Sequence, residues 1–217
     1  MNLLERFANN KGTVSSALGK EIAAQVLEGD LELLKEVIPF VCYKLKNHKS
    51  KHIRSGAAKV IECIAEKKPD YIVPYLEIIL PGLEVEEPQT KWMIFMTLGY
   101  CASQKPEIAK RAIPYAKQYI LEKVDGQLCL VGAIDKYLGK FGKTSKENAE
   151  IAYKLLLEST DNVIMNELDW IIEGFTDIIG FLDKQKKETI LSILSEYSDH
   201  PKKATQKRMQ LLLQKCK

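Results

Sequence analysis

Apolar residues recur at helical spacing along most of the chain. Leu31, Leu34, Ile38, Val41 and Leu45 step by three and four, and Ile53, Ala57, Val60, Ile61 and Ile64 do the same. The pattern predicts further helices over about 69–83, 88–103, 106–122, 125–141, 145–159, 162–181, 184–198 and 201–216. Between them stand Gly29-Asp30, Asn47 to Ser50, Glu86 to Pro88, Asp125-Gly126, Asp161-Asn162 and Asp199 to Pro201. The two-residue alternation of strands is essentially absent. Links this short force neighbouring helices to run antiparallel, and each pair keeps an apolar face that one partner cannot cover. Stacking the pairs covers it. The expected fold class is therefore all-α, an α-α superhelix (solenoid) of about five helix pairs.

A repeat in the sequence supports that reading. Val37-Ile38-Pro39-Phe40, Ile72-Val73-Pro74-Tyr75 and Ala112-Ile113-Pro114-Tyr115 share one pattern at spacings of 35 and 40 residues. Lys68-Pro69-Asp70 and Lys105-Pro106-Glu107 recur at a spacing of 37. Pro69 and Pro106 suit a first helical turn, where a missing N–H costs nothing, and the acid behind each suits the positive helix end. Pro39, Pro74 and Pro114 are expected to bend the first helix of each pair at equivalent points. Such bends would curve the array and leave the second helices on its inner face.

The segment Ile53-Arg54-Ser55-Gly56-Ala57-Ala58-Lys59-Val60-Ile61 resembles the V-R-x-x-A-A-x-x-L signature that opens the second helix of HEAT repeats. The proline-bearing segment Leu31 to Asn47 resembles the first helix. The resemblance is sharp over 31–67, good to about residue 142 and fainter beyond. The later repeats lack the inner proline, and only Lys91 stands near the place of the signature arginine. It implies one HEAT-like, armadillo-like domain over 1–217, with repeats at about 31–67, 69–104, 106–142, 145–182 and 184–217 and capping helices within 1–30. It also implies a scaffold that holds proteins, and sometimes nucleic acid, on its concave face.

Composition narrows the setting. The 217 residues are 46% hydrophobic and 28% charged, and no apolar run approaches the roughly 20 residues that span a bilayer. The first residues, Met1 to Phe7, lack the apolar core of a secretion signal. Cys42, Cys63, Cys101, Cys129 and Cys216 form no CxxC and are read as thiols packed in helices. A soluble cytoplasmic protein is expected, without a membrane partner, cofactor or metal.

Net charge is +3 but uneven. Residues 143–183 carry 3 basic and 9 acidic groups, net −6, whereas 184–217 carry 9 and 3, net +6. Opposite blocks of this size suggest weak head-to-tail self-association, the basic end of one copy on the acidic block of the next.

Candidate binding residues follow from these features. Trp92 and Trp170 lie 78 residues apart, two repeats, each early in a second helix. Glu167, Asp169, Glu173 and Asp177 surround Trp170 on the helix face away from its apolar stripe. An aromatic amid carboxylates is suited to a basic peptide by stacking and ion pairing, and so to a protein partner. Core packing is the competing reading, above all for Trp92 in Trp92-Met93-Ile94-Phe95-Met96. Lys46, Lys49, Lys51 and Arg54 could grip a phosphate at the start of a helix capped by Ser50, with a solvated charged loop as the plain alternative.

The tryptophan spacing also resembles the HEAT-like DNA glycosylases of alkylation repair, which would make nucleic acid the partner. Those enzymes use an aspartate one turn after the first tryptophan and an arginine in the next repeat. Here those places hold Met96 and a residue near Val131, so no catalytic residue is assigned and an enzyme is not expected. Gly139-Lys140-Phe141-Gly142-Lys143-Thr144 lacks the leading glycine of a phosphate loop and is read as a helix end.

Overall fold

The computed structural model describes residues 2–9, 17–41, 51–122, 128–161 and 168–216. Helices and turns account for them, with no strand among the described residues. Contacts divide the chain into two compact units, Met1–Ala112 and Ile113–Lys217.

The first unit is built around α4 (Lys51–Lys67), which packs against α1 (Leu3–Asn9), α2 (Ala17–Leu27) and α6 (Pro88–Cys101). Its Ile53, Ala57, Ala58, Val60, Ile61 and Ile64 are all buried. Each large apolar side chain so enclosed contributes roughly 1.5–3 kcal/mol relative to exposure. Alanines at 57 and 58 keep the helix narrow where its neighbours approach. Gly29, at φ 125°, reverses the chain after α2, and the Asp30 carboxylate caps α3 (Leu31–Val37) by accepting from the Leu33 N–H.

The prolines act differently from the expected bends in continuous helices. Each occupies the second position of a new helical segment, where its absent N–H breaks no bond. Pro39 lies in the 3-10 turn Ile38–Phe40 that follows α3, and Pro74 in the 3-10 turn Val73–Tyr75. Pro114 opens α8 (Ile113–Glu122), separated from α7 (Pro106–Lys110) by Arg111 and Ala112. The single helix expected over 69–83 is instead a chain of short pieces: 3-10 turns at Pro69–Tyr71 and Val73–Tyr75, α5 (Leu76–Ile79) and a 3-10 stretch at Leu80–Glu84. Three prolines in thirteen residues, Pro69, Pro74 and Pro81, forbid any longer run. The repeated markers do take the same conformation, since Lys68 (φ −139°, ψ 75°) and Lys105 (φ −138°, ψ 64°) both precede a helical Pro.

The second unit stacks α9 (Leu128–Gly142), α11 (Leu168–Ile178) and α13 (Lys203–Cys216) side by side, with α11 in the middle. Behind them α10 (Lys146–Thr160) packs on α9 and α11, α8 on α9 and α10, and α12 (Lys184–Leu194) on α13. Tyr137, Phe141, Leu156, Ile172, Phe175 and Leu212 form the enclosed core. Helix starts are capped by Ser145, which accepts from the Asn148 N–H, and by Asp183, which accepts from the Lys186 N–H.

The Gly139–Thr144 stretch does end a helix, for Thr144 N–H and hydroxyl both donate to the Phe141 carbonyl. Its glycines serve close packing rather than a left-handed turn. A Cβ on Gly139 would stand 2.7 Å from the Gly174 Cα, and one on Gly174 would stand 2.7 Å from the Asp135 carbonyl oxygen. Here α9 and α11 touch backbone to backbone.

Candidate functional site

The face of the second unit formed by α9, α11 and α13 holds four of the ten candidate residues, Asp169, Trp170, Glu173 and Asp177. Trp170 is half-buried at the start of α11, and the Lys136 ammonium of α9 lies 5.0 Å from its ring centroid, within cation–π range. Lys136 also approaches the Glu173 carboxylate at 3.4 Å. Asp177, one turn further, is 3.8 Å from Lys143. From the other side, Arg208 of α13 reaches both Asp169 (3.5 Å) and Glu173 (3.8 Å), and Lys202 binds Asp169 at 2.7 Å.

Asp169 differs from the other carboxylates in being buried, at 6% exposure. It also accepts from the enclosed Thr205 hydroxyl. Burial alone would push its pKa up. Hydrogen bonds from Lys202 and Thr205, with the charges of Arg208 and Lys202, outweigh this and hold it below the usual carboxylate value. The side chain thus ties α13 to α11. Glu173 and Asp177 remain partly open to solvent, at 35% and 23% side-chain exposure. Glu167 lies outside the described residues.

Trp92 belongs to the first unit, half-buried on α6, while Met93, Ile94, Phe95 and Met96 after it are enclosed. Arg54 is also inward, at 9% exposure, and its guanidinium grips Glu87 at the start of α6 through bonds of 2.5 and 3.0 Å. Thr90 donates to the same carboxylate. The fork that the sequence offered to a phosphate is therefore committed to joining α4 and α6. Lys51 and His52 are exposed, whereas Lys46, Lys49, His48 and Ser50 lie outside the described residues. Met96 is buried at 5% exposure and Val131 is half-buried, so neither glycosylase-equivalent place carries a charge.

Among the described residues no cluster of His, Cys, Asp and Glu is arranged to hold a metal. Of the cysteines, Cys101 is enclosed and burial pushes its thiol up to about 12. Cys63 and Cys216 are half-buried, and Cys129, read from sequence as a packed thiol, is exposed in the first turn of α9; Cys42 lies outside the described residues. No described helix is long and apolar enough to cross a membrane.

Sequence reasoning missed the cations that close on the acidic row. Their signal is the repeat itself, because polar contacts recur one period apart. Arg54 bonds Glu87 at a separation of 33 residues, Arg111 bonds Glu77 at 34, and both Lys186–Glu150 and Thr205–Asp169 lie at 36. The two oppositely charged blocks therefore meet within one chain, through Lys186, Lys202 and Arg208.

No family model and no curated protein matches this sequence. Solved structures match in fold. An engineered protein is 13% identical with a TM-score of 0.61, covering 100% of this chain and 97% of that one. A second engineered protein is 15% identical at 0.61, with 100% and 99% covered. A designed armadillo repeat protein, in complex with the peptide (KR)4, is 14% identical at 0.62, with 94% and 89% covered. The chain is an α-solenoid of helical repeats. At such identities the likeness speaks for the fold alone.

Proposed function

We propose that the protein is a non-catalytic HEAT-like interaction scaffold that binds a protein partner on the face formed by its second helices, with Trp170 as the anchor. The observation that carries this reading is a large, half-buried aromatic held by Lys136 beside a row of ion pairs. Aromatics fixed in this way supply binding energy at small entropic cost, and Trp is enriched among residues that dominate interfaces. Glu173 and Asp177 border the anchor, and Asp169 positions Lys202 and Arg208 beside it. Trp92 is the corresponding aromatic of the first unit. A designed protein of similar fold was solved with a peptide bound, which agrees with peptide recognition by this architecture.

The test is capture of partners from native lysate on immobilised wild-type protein and on the Trp170→Ala variant, each with and without nuclease. A stoichiometric protein that survives nuclease and is lost with Trp170→Ala supports the reading. Equal capture by both proteins refutes the anchor. Capture that vanishes with nuclease would move the assignment to nucleic acid, with excision of alkylated bases as the next assay.

A further inference from the structure

Trp170 shares its face with a second apolar side chain. Leu211 of α13 is 46% exposed, three residues after Arg208 and four before Lys215, so the three lie on one side of the helix. Both neighbours reach α11, Arg208 at Asp169 and Glu173, and Lys215 by donating its ammonium to the Thr176 carbonyl. Leu211 therefore opens on the side where α11 presents Glu173. That carboxylate also approaches Lys136, whose ammonium lies over the Trp170 ring. The described charges around these two side chains answer one another. Asp169 is met by Lys202 and Arg208, Glu173 by Lys136 and Arg208, and Asp177 by Lys143, all at 2.7–3.8 Å. Lys140, half-buried on the same stripe of α9, is not free either.

We infer that the segment docking on this face is an uncharged, apolar peptide of a protein partner, with one large side chain on Trp170 and another on Leu211. The inference rests on the proposed scaffold function. Charge complementarity selects this occupant. A basic or acidic group entering here finds Asp169, Glu173, Asp177 and their cations already engaged by partners that the fold holds at close range. It would have to give up its own hydration to compete with them, and the exchange returns little. An apolar side chain breaks no pair and takes two apolar surfaces out of water. The ion pairs then form the polar rim that shields the anchors from solvent. The same reasoning disfavours a nucleic acid, whose phosphates would need Lys136, Lys143, Lys202 and Arg208 released from their carboxylates.

The test selects binders to the immobilised full-length protein from a phage-displayed library of random short peptides. Enriched sequences are then synthesised and titrated by fluorescence anisotropy. They are expected to be richer in Trp, Phe and Leu, and poorer in Asp, Glu, Lys and Arg, than the library. Their affinity should change by less than about twofold between low and physiological salt, because no ion pair is made or broken. Trp170→Ala and Leu211→Asn should each weaken binding about tenfold. Leu211 is exposed enough for the polar variant to fold, which circular dichroism checks. Enrichment of acidic or basic peptides, a several-fold loss of affinity with salt, indifference to Leu211→Asn, or no enrichment at all would each overturn the inference. So would tighter binding of a single-stranded DNA oligonucleotide, or a dimer in light scattering that Leu211→Asn abolishes; these would give the face to nucleic acid or to a second copy. Trp170-dependent capture of a protein from lysate stands or falls on its own, so the two conclusions fail separately.

Discussion

Replacing Gly174 by alanine sets two opposing effects against each other. In a helix interior, alanine is favoured over glycine by about 0.5–1 kcal/mol because it loses less backbone freedom on folding. In this protein the added Cβ would lie 2.7 Å from the Asp135 carbonyl oxygen and 3.0 Å from Leu156 Cδ2. Leu156 can change rotamer, but the carbonyl belongs to the backbone of α9. Relief therefore requires α9 and α11 to separate by more than half an ångström, which opens the contact between their enclosed residues. Overpacking of this kind costs about 1–3 kcal/mol, so the net effect is a loss of roughly 1–2 kcal/mol. Gly180 is the internal control, since nothing stands within 4 Å of its added Cβ. Gly180→Ala is expected to leave stability unchanged or raise it slightly. Urea denaturation followed by far-ultraviolet circular dichroism reports both proteins through the shift in midpoint at constant slope. A Gly174→Ala midpoint at or above that of Gly180→Ala would refute the backbone-contact argument.

Other consequences of the structure can be measured in the same preparation. Arg54→Ala or Glu87→Ala alone should cost about 3–5 kcal/mol, because each strands a charge in an enclosed site, while the double variant should cost less than the sum of the two; additive losses in denaturation would sink the idea of a coupled pair. Asp169→Ala should cost roughly 1.5–3 kcal/mol through its lost charged hydrogen bonds and the stranded Thr205 hydroxyl. Because the folded pKa of Asp169 is lowered, its contribution is complete above the unfolded value of about 3.9 and is lost as pH falls through the folded value; denaturation midpoints of wild type and variant should converge only at acid pH. Among the described cysteines, alkylation of the native protein near pH 8 should modify the exposed Cys129 first and the enclosed Cys101 last, and peptide mapping that reversed this order would contradict their placement.

Much of this fold is legible because helical repeats write their core twice, once as three- and four-residue spacing and once as a period. The residues read as the apolar stripe of α4 are those found enclosed, and the two Lys-Pro-acid markers adopt one backbone conformation. The prolines were less transparent. Spacing located Pro39, Pro74 and Pro114 but could not say whether the chain bends through such a residue or stops and restarts before it. Restarting prevails because a proline in a first turn breaks no bond, whereas within a helix it breaks one and crowds the preceding carbonyl. Nor could composition reveal why Gly139 and Gly174 are needed, since that depends on which helices cross and how closely.

The candidate site shows where local reading runs out. Glu173 and Asp177 follow Trp170 at helical spacing in the sequence, yet their electrostatic meaning depends on residues more than thirty positions away in the chain. A helix in the middle of a stack has neighbours one repeat before and one repeat after it. Its surface charge is therefore set at separations of 33 to 36 residues as much as at three and four. Read at the first range, Trp170 sits in an acidic pocket suited to a basic ligand. Read at both, Asp169, Glu173 and Asp177 are each bridged by one or more of Lys136, Lys143, Lys202 and Arg208. The same bridging weakens the case for head-to-tail association, because the basic block of α12 and α13 already meets the acidic block within its own chain.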